Sequence, residues 1–261
     1  MHGALFVAKT GLSAQDTSLK LISNNLANVS TVGYKKERPV FEDLMYQARR
    51  QPGAQSGEES TLPSGLQVGS GVRVVGTQKS HIAGDSMVTE EAFDVMINGR
   101  GFFQVQRPNG ETAYTRNGQF GVNENNQIVT NEGYLVQPVI TLPAETMELT
   151  IAEDGTVSAL TAGNQVPQQI GQMQTADFVN PVGLRAIGQN LFLETPASGV
   201  PLINNPGDAG AGSLRQGMLE TSNVNSVEEL VNMITTQRGY EMNSKVISTA
   251  DEMLSFVTQQ L

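Results

Sequence analysis

The chain contains no cysteine and no tryptophan, and its 261 residues include only two histidines, His2 and His81. Without thiols there are no disulfides, no thiolate metal sites and no cysteine nucleophile, and two histidines are too few for a multi-histidine metal centre. No cofactor is expected. Charge is also scarce: 16% of residues are Asp, Glu, Lys or Arg, and 26 acids against 16 bases leave a formal charge of −10. That balance argues against nucleic acid as a partner, because counterion release needs a basic face. No apolar run reaches the roughly 18 residues of a transmembrane helix. The opening Met1-His2-Gly3-Ala4-Leu5-Phe6 has no basic n-region and no unbroken apolar core follows it, so no cleaved Sec signal is expected. Glycine, by contrast, is plentiful at 27 residues, about a tenth of the chain against a usual ~7%. This is the profile of a turn-rich β protein with little small-molecule chemistry.

The two ends depart from that profile. Leu5, Ala8, Leu12, Gln15, Leu19, Ile22, Leu26 and Val29 alternate at spacings of three and four, and seven of the eight are apolar. This predicts a heptad helix roughly 37 Å long at ~1.5 Å per residue. Val7, Ala14 and Leu21 recur on another face. At the other end Ser226-Val227-Glu228-Glu229 reads as a capping box with Ser226 as N-cap. Tyr240, Asn243, Ile247, Ala250, Leu254, Val257 and Leu261 then keep heptad spacing, while Met242, Val246, Met253 and Phe256 add apolar surface off that seam. Such helices either pair as an ordinary hairpin or pack on helices of other copies as well. The extra stripes favour the second arrangement, since they would otherwise face water. A free monomer is then expected to leave its ends poorly ordered until assembly. Gly239 lowers helix propensity, by about 1 kcal/mol against Ala.

Between the ends the hydrophobic period changes to two. Segments such as Phe93-Asp94-Val95-Met96-Ile97-Asn98, Phe102-Phe103-Gln104-Val105 and Thr156-Val157-Ser158-Ala159-Leu160 alternate, with turns every eight to twelve residues, so residues 91–225 read as an all-β domain. Asn117-Gly118 predicts a two-residue hairpin joining Ala113–Arg116 to Gln119–Val122, and Asn131-Glu132-Gly133 predicts a second hairpin. Residues 31–90 read as an extended connector, polar and rich in Gly, Ser and Pro around Gln51-Pro52-Gly53 and Leu62-Pro63-Ser64-Gly65. Residues 1–50 carry seven Lys or Arg and four Asp or Glu, a net +3 that leaves −13 on the remainder. The predicted architecture is a multi-domain α+β chain. Helices 1–30 and 226–261 form a coiled-coil domain, the connector follows, and the all-β domain lies in the centre.

Catalytic motifs are missing. Gly99-Arg100-Gly101 and Gly69-Ser70-Gly71 lack the following helix of a phosphate loop and read as turns or bulges. Glu90-Glu91 and Glu153-Asp154 are neighbours whose side chains point to opposite faces on a strand, and read as solvated turn charges. There is no Gly-x-Ser-x-Gly elbow, and His81 has no motif around it, which suits a surface or packing role. Asp208-Ala209-Gly210-Ala211-Gly212 lacks calcium-loop spacing. The chain reads as an interaction protein, not an enzyme.

Asn24-Asn25-Leu26-Ala27-Asn28-Val29-Ser30-Thr31-Val32-Gly33-Tyr34-Lys35 closely resembles the signature shared by flagellar rod and hook axial proteins. Asn and Ser favour caps and turns at a helix end, and Gly33 supplies permissive backbone where the chain leaves. Ile97–Val105, Ala113–Gly118, Glu220–Asn225 and Val224–Val231 resemble further motifs of that family. The segment 46–69, with Tyr46-Gln47, Arg50-Gln51-Pro52-Gly53 and Pro63-Ser64-Gly65, resembles an insertion that marks the distal-rod members of that family and is missing from typical hook proteins.

The resemblance implies a structural subunit that polymerises helically into the periplasm-spanning shaft of the flagellar basal body. It implies export through the flagellar type III apparatus, terminal helices forming an inner tube, and a β domain facing the L and P rings. Implied partners are further copies of the chain, proximal-rod subunits, hook or hook-junction subunits, the ring proteins and the export apparatus. Assembly-interface positions are then Leu5, Leu12, Leu19, Ile22, Leu26, Tyr240, Ile247, Leu254, Val257 and Leu261. The segment 46–69 is expected to bridge neighbours and stiffen the shaft. Alternatives are a hook or proximal-rod subunit, or an extracellular glycan-binding β domain on a stalk. The absence of Trp platforms argues against the last of these.

Overall fold

The computed structural model describes residues 2–51, 64–162, 166–208 and 210–259. Two long helices, α1 (His2–Ala27) and α2 (Ser226–Gln259), flank a central region of strands, an α+β architecture. None of the described helices is long and apolar enough to cross a membrane. The chain divides into two compact units. One comprises Met1–Leu26, Glu37–Gln78 and Asn225–Leu261, and the other Ala27–Lys36 and Lys79–Val224. The expected connector 31–90 is therefore not a separate element. Of its described residues, 37–51 and 64–78 group with the terminal helices, and 31–36 and 79–90 belong to the β unit.

In the helical unit α1 and α2 run antiparallel in one register. Gly11 lies opposite Asn243, Gln15 opposite Gly239 and Asn25 opposite Glu229, so each step forward on one helix is matched by a step back on the other. Glycine at 11 and 239 removes the side chain where the opposite helix presents Asn243 or Gln15. A Cβ on Gly11 would sit 2.9 Å from the Asn243 amide nitrogen, and one on Gly239 would sit 3.2 Å from that of Gln15. The helix-propensity loss at Gly239 thus has a packing reason.

The expected Ser226 N-cap is corrected by one residue. The Asn225 Oδ1 accepts the Val227 and Glu228 amides at 3.0 and 3.2 Å, and the Asn225 carbonyl accepts the Glu229 amide at 3.0 Å. Asn caps as well as Ser does and stands first in the chain, so Ser226 becomes the first helical residue. Also in this unit, β1 (Glu37–Asp43) and β2 (Tyr46–Arg50) pair with β4 (Val72–Lys79) and β3 (Leu66–Gly69) respectively, forming two exposed two-stranded ribbons.

The β unit holds sixteen further strands among the described residues. They are β5 (Ser86–Val88), β6 (Val95–Asn98), β7 (Phe102–Gln106), β8 (Thr112–Thr115), β9 (Phe120–Val122), β10 (Ile128–Thr130), β11 (Leu135–Gln137) and β12 (Thr146–Ile151), then β13 (Thr156–Thr161), β14 (Gln168–Gln172), β15 (Thr175–Asp177), β16 (Arg185–Gly188), β17 (Leu191–Leu193), β18 (Leu202–Asn204), β19 (Ser213–Gln216) and β20 (Met218–Glu220). A nine-stranded sheet runs β16-β17-β8-β7-β11-β10-β9, with β15 also on β7 and β18 on β15. A three-stranded sheet runs β12-β13-β14, and β6 pairs β19 and β5 pairs β20. Alternation along these strands buries Val95, Ile97, Phe103, Val105, Ile128, Val136, Val157 and Leu214 in the main core. A smaller aromatic core gathers Phe102, Tyr114, Phe178 and Phe192.

The Asn131–Gly133 hairpin is present: Val129 pairs with Leu135 and Gly133 takes φ +84°. The Asn117-Gly118 hairpin is not. β8 pairs with β7 and β17, and β9 with β10. Asn117 Oδ1 instead caps the Gln119 amide at 3.1 Å, and the Gly118 carbonyl accepts the Val95 amide at 3.0 Å. A Cβ at Gly118 would lie 1.7 Å from the Val95 carbonyl oxygen, so glycine is required here for close backbone approach and not for a tight reversal.

The cap correction yields a direct comparison. Asn225→Ala should destabilise α2 by about 1 kcal/mol, whereas Ser226→Ala should change it by only a few tenths. Urea unfolding followed by helical circular dichroism separates the two, and the reverse order would restore Ser226 as the cap.

Candidate assembly surface

The face that α1 turns toward α2 is made of small residues. Ala8, Ala14, Ser18, Ile22 and Asn25 are buried, and Ile22 is the one large apolar side chain among them. Leu5, Leu12, Leu19 and Leu26 flank this line and are only partly buried. On α2, Glu229 and Ala250 are buried, Ile247 and Leu254 partly so, and Tyr240 is exposed. The side chain of Val257 and all of Leu261 lie outside the described residues. Larger side chains point outward: Phe6, Val227, Leu230, Val231, Ile234, Met242, Val246, Met253 and Phe256 are all exposed. An apolar stripe of this length on a solvent face marks an interaction surface.

The segment 46–69 begins and ends as the β2–β3 ribbon. Gln51 follows β2 and Gly65 precedes β3, while Pro52, Gly53 and Pro63 lie outside the described residues. The ribbon exposes Tyr46, Leu66 and Val68.

The signature segment is shared between the two units. Its first part closes the helical unit. The Asn25 amide donates to the Glu37 carbonyl at 2.8 Å and to Glu229 Oε2 at 3.3 Å, while its oxygen accepts the Glu37 amide at 3.0 Å. Asn24 and Ala27 are exposed on the helix. Its second part is built into the β unit. Asn28 Oδ1 accepts the Thr31 hydroxyl at 3.1 Å. Gly33 takes φ +70°, and its amide donates to the Glu220 carbonyl at 2.8 Å. Tyr34 is buried with the Lys79 ammonium 5.6 Å from its ring centre.

Beyond them lies an ion cluster that sequence reasoning missed. The Lys35 ammonium donates to Glu220 Oε1 at 2.5 Å and to the Ile82 carbonyl at 2.7 Å. Arg116 Nη1 reaches Glu220 Oε2 at 3.1 Å, and Nη2 donates to the Gly99 carbonyl at 2.6 Å. The Gly84 amide supplies a further donor to Glu220 at 2.9 Å. All three side chains are at most 4% exposed. Lys35 and Arg116 both lay in the quoted motifs, but their partner is 185 and 104 residues away. Local spacing carries no signal for such pairs.

Burial holds Lys35 and Arg116 below their ordinary values, and the Glu220 carboxylate opposes it. Next to them His81 meets Phe102 and Phe192 edge-on at 5.7 and 5.8 Å, and its Nδ1 is buried without a hydrogen-bond partner. Burial, reinforced by Lys35, Arg116 and Lys79, pushes its imidazole down to about 4. No cluster of acids and histidines able to hold a metal ion occurs among the described residues.

Comparison with known proteins defines the class of molecule. Residues 5–35 match the profile of flagella basal body rod proteins, residues 96–159 that of the flagellar hook protein FlgE/F/G D1 domain, and residues 215–260 that of the flagellar basal body rod FlgEFG protein C-terminal region. Over its full length the chain is 53% identical to the flagellar basal-body rod protein FlgG of Buchnera aphidicola subsp. Schizaphis graminum, covering 99% of this chain and 100% of the relative. FlgG of Caulobacter vibrioides is 47% identical (98% of each chain), and FlgG of Bacillus subtilis 36% identical (97% of each). The chain belongs to the FlgG family of flagellar basal-body rod proteins, structural subunits of the flagellar rod.

Two outcomes follow from the ion cluster. Glu220→Gln leaves Lys35 and Arg116 buried without their counter-charge and should cost about 3–5 kcal/mol of stability in urea unfolding. A loss below 1 kcal/mol would mean that the carboxylate is dispensable. His81 is neutral in the folded chain and its proton affinity is lowered from 6.5 to about 4, so the unfolded chain takes up the extra proton as pH falls. Its contribution is complete above pH 6.5 and is lost toward pH 4, about 2 kcal/mol between pH 7 and 5. His81→Gln should flatten that slope, and an unchanged slope would assign it to other groups.

Proposed function

We propose that this chain polymerises helically into the distal rod, the drive shaft that carries torque from motor to hook. The terminal helices pack as a coiled coil into the inner tube and the β unit forms its outer layer. In this reading the subunit reaches its site through the flagellar type III export apparatus without a cleaved signal. It meets proximal-rod and hook-junction subunits at the shaft's ends and the L and P ring proteins along its side.

The observation that carries the reading is the outward stripe on α2, where Val227, Val231, Ile234, Met242, Met253 and Phe256 are each at least half exposed. Such a face is stabilised by covering it, at roughly 1.5–3 kcal/mol for each side chain taken fully out of water. A helix in the same orientation on the next copy presents the same face again. Contacts of this kind between different patches repeat without closing and build a shaft. The ribbons of residues 37–50 and 66–79 add exposed apolar side chains, including Tyr46, Leu66 and Val75. Two-stranded ribbons are marginal by themselves, which supports the reading that the segment 46–69 bridges neighbours and stiffens the shaft.

The test uses a substitution that spares the intramolecular helix pair. Leu19 and Leu254 are partly buried, and an acid at either would also disturb the monomer. Ile234 faces solvent. Ile234→Asp should leave the monomer's helical circular dichroism unchanged and abolish sedimentable polymer. Polymerisation at the wild-type level would remove the α2 stripe from the assembly surface.

A further inference from the structure

The two ends of α2 differ in shape and charge. At its start Val227, Leu230, Val231 and Ile234 are exposed by 68, 47, 55 and 51%. Their spacing of i, i+3, i+4 and i+7 is the anchor pattern of a helix that lays one face into a groove. Between residues 222 and 237 the only charged residues are Glu228 and Glu229. Glu229 is buried on Asn25, and Glu228 stands exposed beside the ridge.

Toward the other end of the helix pair lies a hollow instead of a ridge. Two adjoining cavities of about 960 and 440 Å³ share Ala4 and Val246. Phe6 and Met253 add to their apolar walls, and methionine adapts its shape to an entering side chain. Arg49 and Lys245 supply the charges of the lining, which includes no carboxylate. Ridge and groove are centred about 27 Å apart along α2 at 1.5 Å per residue, so one copy cannot fill its own groove with its own ridge.

Building on the assembly reading, we propose that the Val227–Ile234 ridge of one copy seats in the Ala4–Met253 groove of a second copy, with Glu228 meeting Arg49 and Lys245. The occupant is a second copy because this chain carries both halves. The ridge has the helix-in-groove anchor spacing, and its acidic rim complements the basic rim of the groove. The contact joins two different patches and leaves one of each free at the ends, so it propagates as an open chain and gives the shaft a polarity. Specificity resides in the rim charges, and the apolar anchors supply the contact area.

The absence of cysteine makes the test clean. A Leu230→Cys copy and a Met253→Cys copy, carrying different tags, are mixed under polymerising conditions and treated with a short bis-maleimide. The mixture should give a cross-linked heterodimer, with little product from either variant alone. Adding Glu228→Lys to the first copy should cut the yield about tenfold, equivalent to roughly 1.4 kcal/mol. Arg49→Glu with Lys245→Glu in the second copy should restore it. Sedimentable polymer without a mixed cross-link overturns the pairing and leaves the assembly reading intact, as does Leu230→Cys cross-linking mainly to itself. Failure of the wild-type chain to polymerise takes down both readings.

Discussion

The buried Glu220 carboxylate is the constraint on which the β unit depends. It is 1% exposed and receives two cations and an amide, while its own backbone carbonyl holds Gly33. The groups it ties together come from four separated stretches of chain: the segment Ala27–Lys36, the loop before β5, the corner after β8, and β20 itself. A carboxylate so buried is expensive to desolvate and is tolerable only when its lone pairs are used. Here Oε1 takes Lys35 and Gly84, and Oε2 takes Arg116. Hydrophobic contact could hold these stretches together, but it would not specify where Lys35 must sit. The placement of the Lys35 ammonium between a carboxylate and the Ile82 carbonyl fixes the register of a segment that has no strand partner of its own. His81 remains neutral chiefly because it is buried, and the nearby Lys35, Arg116 and Lys79 reinforce that.

Asn25 performs the corresponding task in the helical unit with a neutral group. Its amide makes a two-way pair with the Glu37 backbone and reaches Glu229 on α2. One side chain thereby sets the start of β1 and the register of the helix pair. The signature Asn24–Lys35 is accordingly two devices in sequence, an amide clamp and then a glycine turn leading to a buried lysine. The family resemblance located both devices, but their physical roles became clear only with the partners Glu37, Glu229 and Glu220 in place.

What the sequence makes legible follows the range of the interactions. The two helices, the Gly133 hairpin and the alternating strands rest on periodicity and turn chemistry within a few residues, and the structure holds each of them. Asn117-Gly118 misleads because an Asn-Gly pair specifies a local reversal only when nothing else claims the glycine; the Val95 backbone, pressed against Gly118, claims it. The two ends of the connector pair for a related reason. A composition rich in Gly, Ser and Pro describes residues around 51–65, but residues 37–50 and 66–79 have enough β-branched and aromatic content to pair. The Glu220 cluster has no local trace, since a charged residue in a strand reads as a solvated edge until its distant partners are known. The heptad count located the helices correctly but could not say which face meets the other helix.

A seam of Ala8, Gly11, Ala14 and Ser18 brings the two helix backbones close but removes little apolar area from water, and Gly11 and Gly239 both lower helix propensity. Most of the large apolar side chains of α1 and α2 are left flanking this seam or facing outward. The intramolecular pair is therefore held by close approach and by Asn25, while the greater part of the helices' hydrophobic free energy is available only between molecules. A subunit that had to remain soluble as a monomer would place Leu and Ile in the seam and polar groups outside. This one reverses the allocation, as the proposed assembly through α2 requires. With −13 of net charge confined to residues 51–261, long-range repulsion between copies opposes association until the apolar faces meet.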